Sequence, residues 1–220
     1  MINKNLGIII DAKHVNEGVH YIFADEKNLV STNGHILFCE PKSQDVESGY
    51  YNPVTLQRLD YNGIPFPQNY EKLFNLVNLE KIENPVFSTY VKKDDLKNIQ
   101  TKKIAGIKGT DLFVNLDYLK KALQYIGEKF TMSLDKANKW QPILFENDKG
   151  QKVLLMPIKS DINNYNFIED IQPDQIKQVV KFKNCYVVKK DNNILGVFTK
   201  KADALQNADS ECEIIETILK

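Results

Sequence analysis

Residues 29–40 read LVSTNGHILFCE. Apolar, strand-like residues stand at both ends, and Thr32, Asn33, Gly34 and His35 interrupt them with a tight polar turn. The stretch predicts strands on either side of that turn. A histidine at such a position belongs to an active site, a metal site or a plain loop, and the rest of the chain has to decide which.

The neighbouring segments extend the pattern in both directions. Residues 20–24 (HYIFA) predict a strand joined to residues 29–40 through a hairpin at Asp25-Glu26-Lys27-Asn28. Residues 6–11 (LGIIID) read as a buried strand, and residues 41–49 as polar and turn-like. Residues 50–75 are rich in Tyr, Pro and Asn, and Pro65 and Pro67 exclude a helix or a central strand around them. An extended, irregular connection is expected there.

Two helices are predicted next. The first covers residues 94–103, with Leu96 and Ile99 as a thin apolar stripe. In the second, NLDYLKKALQYIG, Leu116, Leu119, Leu123 and Ile126 recur at spacings of three and four. Asn115 suits its N-cap and Gly127 its C-terminal stop. Strands are expected over 130–134, 142–146 and 153–158, the last two joined by the hairpin turn Asn147-Asp148-Lys149-Gly150. Residues 161–180 are polar and read as a linker between a domain over 1–160 and a small module over 181–220. That module has a ββαβ pattern: CYVVKK and NILGVFT as a hairpin, KKADALQNA as a short helix, CEIIETIL as a final strand.

Composition removes several function classes. The chain has 220 residues, 42% of them hydrophobic, enough for one sizeable core and a small satellite. Lysine plus arginine and aspartate plus glutamate are 29 each, so no global basic field draws in nucleic acid, and contact with DNA would need a local patch. Arg58 is the only arginine, which argues against guanidinium recognition as the main chemistry. Cys39, Cys185 and Cys212 form no CxxC pair and fit a reducing compartment. The N-terminal apolar run is too short for a signal peptide, and no stretch approaches the roughly 18 apolar residues of a membrane span. A soluble, cytoplasmic protein is expected.

Catalysis and metal binding find little support in the motifs. A histidine base or nucleophile needs an orienting partner, and no GxSxG or Cys–His pattern accompanies His35, so a structural or binding role is favoured over a small hydrolase. His14 and His20 flank a turn, but no Cys or Asp lies at a zinc-ligand spacing. No metal and no cofactor is expected. Neither GxxxxGK[ST] nor GxGxxG occurs, and GIKG at 106–109 is too short to carry a phosphate site. The lysines at 92, 93, 97, 102, 103 and 108 read as a solvated helix face or as a phosphate-tracking surface, with Asp94, Asp95 and Asp111 interleaved. Trp140 and Phe145 read as core residues or as partner anchors.

Four short motifs occur in an order that resembles one family. TNGHIL (32–37) resembles the TDGHRL turn of bacterial sliding clamps, the β subunit of DNA polymerase III. PFPQNYEKLF (65–74) is similar to that family's FPDYxxVLP connector, FVNLDYLKKAL (113–123) to its FNxxYLLDxL segment, and VLLMPIK (153–159) to its closing YxxMPxRL. The resemblance spans about residues 20–160. It implies an α+β fold, DNA-clamp-like antiparallel sheets with two helices, here followed by the ββαβ module. It also implies a surface groove that takes short linear peptides from a DNA polymerase, clamp loader or repair proteins. Carried over, the groove comprises Thr32, Gly34, His35, Leu37, Met156, Pro157 and Ile158, with a non-enzymatic, processivity-type role on double-stranded DNA.

The departures are specific. Ile36 replaces the turn's arginine, and Lys159 falls one place before the closing arginine. The helix expected before TNGHIL has no room in KHVNEG, and the one expected between 40 and 65 is missing. The chain continues about sixty residues beyond the closing motif. A homo-oligomeric ring and a ring-less adaptor or decoy are both compatible with the motifs. From helix-face position alone, Lys97, Lys102, Lys103, Lys120 and Lys121 are the candidate DNA contacts.

Overall fold

The computed structural model describes residues 1–10, 16–63, 65–67, 69–92, 103–174, 184–190, 193–198 and 213–218, the last three stretches and Lys92 by their backbone. The first strands are β1 (Ile22–Ala24), β2 (Asn28–Thr32), β3 (Ile36–Pro41), β4 (Gly49–Tyr51) and β5 (Arg58–Leu59). There follow β6 (Glu80–Ile82), β7 (Phe87–Lys92), β8 (Lys103–Ile107) and β9 (Phe113–Asn115), then helix α1 (Leu116–Ile126). After the helix come β10 (Thr131–Leu134), β11 (Ile143–Glu146), β12 (Lys152–Leu155) and β13 (Tyr165–Ile171). A nine-stranded sheet has the order β5-β4-β1-β2-β3-β12-β11-β10-β6, and a four-stranded sheet the order β13-β7-β8-β9. The strand pairs are antiparallel, and the fold class is α+β.

α1 forms where its sequence says it should. The Asn115 side chain accepts hydrogen bonds from the amides of Asp117 and Tyr118 at 2.8 and 3.2 Å, satisfying two of the orphan donors of the first turn. Gly127, at φ 88°, closes the other end with its N–H on the Leu123 carbonyl. The stripe of Leu116, Leu119, Leu123 and Ile126 is buried, together with Ala122 and Tyr125. Tyr125 stacks on Phe38 of β3 with ring centroids 4.2 Å apart.

The join between β3 and β12 organises the molecule. Ile36, Leu37 and Phe38 lie opposite Leu155, Leu154 and Val153. Successive side chains on a strand point to opposite faces. Ile36, Phe38, Val153 and Leu155 therefore enter the larger core beneath α1, while Leu37, Cys39 and Leu154 enter a smaller one on the opposite face. Both faces are buried, which is why residues 36–39 read as a continuous apolar run rather than an alternation. Each fully buried aliphatic or aromatic side chain here contributes about 1.5–3 kcal/mol. Glu40, also buried, is satisfied by Asn3, Tyr125 and Gln151, all donating to one carboxylate oxygen at 2.9–3.1 Å.

Several expectations need correction. Residues 6–10, the described part of the expected strand over 6–11, hold no strand: Lys4–Ile9 is a 3-10 helix capped by Asn3, and the spacing of its buried Leu6 and Ile9 is that helix's period. An unbroken apolar run does not distinguish the two. The stretch 41–75 is more ordered than its composition suggests, since β4 pairs with β1 and Tyr70–Phe74 forms a 3-10 turn. Within the stretch expected as a linker, Tyr165–Ile171 forms β13, which pairs with β7 along most of its length, with a bulge between Phe167 and Glu169. As an edge strand exposed at Phe167, Ile168, Glu169 and Asp170, it lacks the apolar alternation of a half-buried strand. Of the two helices expected, the described residues hold α1. Residues 94–102 lie outside them, and Lys103 opens strand β8 rather than ending a helix.

Chain contacts divide the protein into two units, Met1–Lys177 and Gln178–Lys220. In the second, β14 (Asn184–Lys190) lies between β15 (Asn193–Phe198) and β16 (Glu213–Ile218), all antiparallel. The helix expected over residues 200–208 lies outside the described residues. No helix among the described residues is long and apolar enough to cross a membrane.

Candidate functional site

The turn that interrupts LVSTNGHILFCE is built by its own polar atoms. The Thr32 hydroxyl donates to the Ile36 carbonyl at 2.8 Å and accepts the Gly34 amide at 3.1 Å. The Asn33 side chain accepts the amides of His35 and Ile36, both at 3.1 Å. Gly34 stands at φ 83°, a backbone region that side chains disfavour. Thr32, Asn33 and Gly34 are thus consumed in making the turn, and they leave His35 projecting from it. Its ring faces Tyr118 of α1, with centroids 5.8 Å apart and planes 19° from parallel.

Next to the turn, the chain leaving β12 runs alongside. The Met156 amide donates to the His35 carbonyl at 2.9 Å. A third wall comes from residues 65–67 and 69–74, a strap laid over the smaller core. Two tyrosine hydroxyls hold it. Tyr50 accepts the Phe66 amide at 2.7 Å. Tyr70 donates to the Asp25 carboxylate, in the hairpin between β1 and β2, and accepts from the Asn28 side chain at 3.1 Å. Phe66 stacks on Phe23 at 5.1 Å with planes 9° apart.

These three elements enclose a cavity of about 230 Å³. Leu37, Leu154, Phe66 and Val19 are buried residues of its lining, and His35, Met156 and Leu73 are exposed ones. Thr32, Gly34, Tyr70, Pro67 and Pro142 also line it. No lysine, arginine or carboxylate is among the described lining residues. Such a surface can take an apolar side chain and offers polar groups from His35 and Asn16 and a few hydroxyl or backbone atoms.

Burial pushes the Tyr70 hydroxyl up from its ordinary range, and its bond to Asp25 adds to that. Burial also raises Asp25, but bonds from Tyr70 and from the amides of Asn28 and Lys27 outweigh it and hold the carboxyl below its usual value. Below the strap, burial and then the Asp25 charge push the buried Cys39 thiol up to about 12, which leaves it protonated and unreactive at neutral pH.

Five of the residues proposed from sequence, Thr32, Gly34, His35, Leu37 and Met156, line this one cavity. Pro157 does not. Ile158 belongs to a separate depression with Phe113 and Trp140, and its amide donates to the Phe113 carbonyl at 2.8 Å. Among those missed from sequence were Asn16, Val19, Pro142, Leu154 and the strap residues Phe66, Tyr70 and Leu73. The strap had a signal: Phe66, Tyr70 and Leu73 recur at spacings of four and three beside Pro65 and Pro67. Trp140 and Phe145 part company, Trp140 being 64% exposed and Phe145 fully buried.

Of the lysine candidates, the structure describes Lys103, Lys120 and Lys121. Lys103 is exposed at the start of a strand. Lys120 and Lys121 lie half-buried on α1, and the Lys121 ammonium sits 5.9 Å from the centre of the Tyr118 ring. Lys97 and Lys102 lie outside the described residues. Lys108 is paired with Asp170 at 2.7 Å. Among the described residues no group of three His, Cys, Asp or Glu side chains could hold a metal ion.

No family model and no curated protein matches the chain. Solved structures do. The DNA polymerase III subunit beta of Borrelia burgdorferi, determined with a natural product, is 12% identical, with a TM-score of 0.47 over 72% of this chain and 61% of that one. The Helicobacter pylori beta clamp bound to a DNA ligase peptide is 15% identical, with a TM-score of 0.45 over 71% and 62%. The beta subunit of Streptococcus pyogenes DNA polymerase is 10% identical, with a TM-score of 0.46 over 71% and 62%. The chain thus spans about three-fifths of the length of each. Over that span its structure is similar to those of bacterial DNA polymerase III beta clamps.

Proposed function

We propose that this chain is a non-enzymatic, clamp-like tether, and that the cavity between the TNGHIL turn, Met156 and the strap holds the apolar anchor of a short linear peptide. The partner would be a polymerase, clamp loader or repair protein working on double-stranded DNA in the cytoplasm. One observation carries the reading. Two motifs far apart in sequence, each resembling a sliding-clamp motif, lie hydrogen-bonded side by side and wall the same charge-free cavity. His35 packs on Tyr118 as a rim residue, a role that calls for no catalytic partner.

The test is fluorescence anisotropy with a labelled, end-capped peptide carrying adjacent Leu and Phe. The wild-type protein binds it, with little dependence on salt because the lining is uncharged. Met156→Glu sets a charge in the apolar wall at a position already 37% exposed, so it weakens binding about tenfold or more while leaving the fold intact. Absence of wild-type binding, or an unchanged affinity in the variant, overturns the reading.

A second reading is an adaptor that uses the groove without encircling DNA. The zero formal net charge and the single arginine favour it. Duplex DNA titrated across a salt series, with light scattering across protein concentration, separates the two. A closed oligomer whose DNA affinity falls steeply with salt supports the tether on DNA, and a monomer with no DNA affinity supports the adaptor.

A further inference from the structure

We infer that the Tyr70 hydroxyl, bonded to Asp25 and Asn28, is the positioning latch of the groove: it sets the strap at the height at which a peptide anchor fits. The inference rests on the groove reading above. Tyr70 is buried, and its hydroxyl stands among polar groups of the hairpin between β1 and β2. That hairpin end is built to receive it. Asp25 Oδ1 accepts the amides of Lys27 and Asn28 at 2.7 and 2.6 Å, leaving Oδ2 for the tyrosine. The Asp25 amide in turn donates to the Asn28 carbonyl at 3.0 Å. A carboxylate fixed by two backbone donors is a rigid acceptor, so the bond it makes carries geometry as well as energy.

Tyr70 also lines the cavity, together with Phe66, Pro67 and Leu73. The strap has no sheet partner to fix it: Tyr70–Phe74 is a single 3-10 turn, and its N-terminal residue Asn69 makes no side-chain cap. Among the described residues its long-range hydrogen bonds are the bond of Phe66 to Tyr50 and those of the Tyr70 hydroxyl, and the Lys152 ammonium lies 5.7 Å from the centre of the Phe74 ring. The Tyr50 tie holds the entrance of the strap and the latch holds its turn. Removing the hydroxyl therefore leaves the aromatic packing in place and frees the turn that carries Leu73, the exposed lip of the cavity.

Tyr70→Phe is the test, with Tyr51→Phe as control, since that hydroxyl bonds the Glu47 carbonyl away from the strap. Two readouts are taken on the full chain: amide hydrogen exchange across residues 66–74 and anisotropy with the Leu-Phe peptide. The expected result is faster exchange confined to residues 66–74 and a loss of peptide affinity of about tenfold in Tyr70→Phe only, because the hydroxyl's two hydrogen bonds, to Asp25 and from Asn28, are lost together. A merely structural role would raise exchange across β1 and β2 as well and lower affinity in step with stability in both variants. Wild-type binding that Tyr70→Phe leaves unchanged overturns the latch and spares the groove. Unchanged exchange in the strap overturns it too. A wild-type protein that does not bind the peptide overturns the groove reading and the inference with it.

Discussion

The two faces of the nine-stranded sheet are closed by different means. One lies under α1, a capped helix whose apolar stripe meets Ile36, Phe38, Val153 and Leu155. The other lies under a strap with no regular partner, which meets Leu37, Cys39 and Leu154 through Phe66 and Tyr70. A helix covers a sheet continuously, because side chains recur on its face every three to four residues. A strap covers it at isolated points and leaves a gap between them. The face closed by the helix is the one that stabilises the fold, and the face closed by the strap is the one with room for a ligand.

Substitutions on the two faces sharpen that contrast. The largest effect is expected from Phe38→Ala, which empties the space against Tyr125 and costs about 3–5 kcal/mol in urea unfolding. Phe66→Ala, equally buried but under the strap, costs no more than about 3 kcal/mol because the strap can close on the gap, and it abolishes peptide binding. Equal losses of stability would erase the distinction between the faces. Gly34→Ala forces a side chain into a left-handed turn and costs about 1–2 kcal/mol, with a loss of peptide affinity that a change on the helix side does not produce. Asn115→Ala removes the cap of α1 and costs about 1 kcal/mol, leaving affinity unchanged.

The smallest effect concerns acid. The folded Asp25 carboxyl lies below its unfolded value of about 3.9, so its contribution is complete above that value and is lost as pH falls through the folded one. The stability gap between wild type and Asp25→Asn is therefore wider at pH 7 than at pH 3, as read from urea midpoints. A gap that does not change with pH would mean that the carboxylate charge has no part in the latch.

How far the molecule is legible from sequence depends on which force shapes each part. α1 and its two caps, the turn at 32–35 and the hairpin at 147–150 follow from local rules, and each is present where those rules put it. β13 was illegible because an edge strand is held by backbone bonds, which leave no mark on side-chain pattern. The 3-10 helix at Lys4–Ile9 was hidden because a short unbroken apolar run suits a buried strand and a buried helix alike. Within the candidate site, the turn and Met156 were accessible through motif resemblance, whereas Val19, Pro142 and Leu154 reach the cavity only through tertiary packing.

By itself the sequence determined the local units: which residues turn, which helix is capped, which strands are apolar enough to be buried. Those choices depend on interactions within a few residues. Tertiary structure alone decided that β3 lies against β12, and so that the TNGHIL turn stands beside Met156. It also decided that the Pro-rich segment crosses the back of the sheet and is tied there through Tyr50 and Tyr70. Both depend on contacts between residues distant in the chain, where complementary shape and hydrogen-bond partners select one pairing among many that local sequence allows.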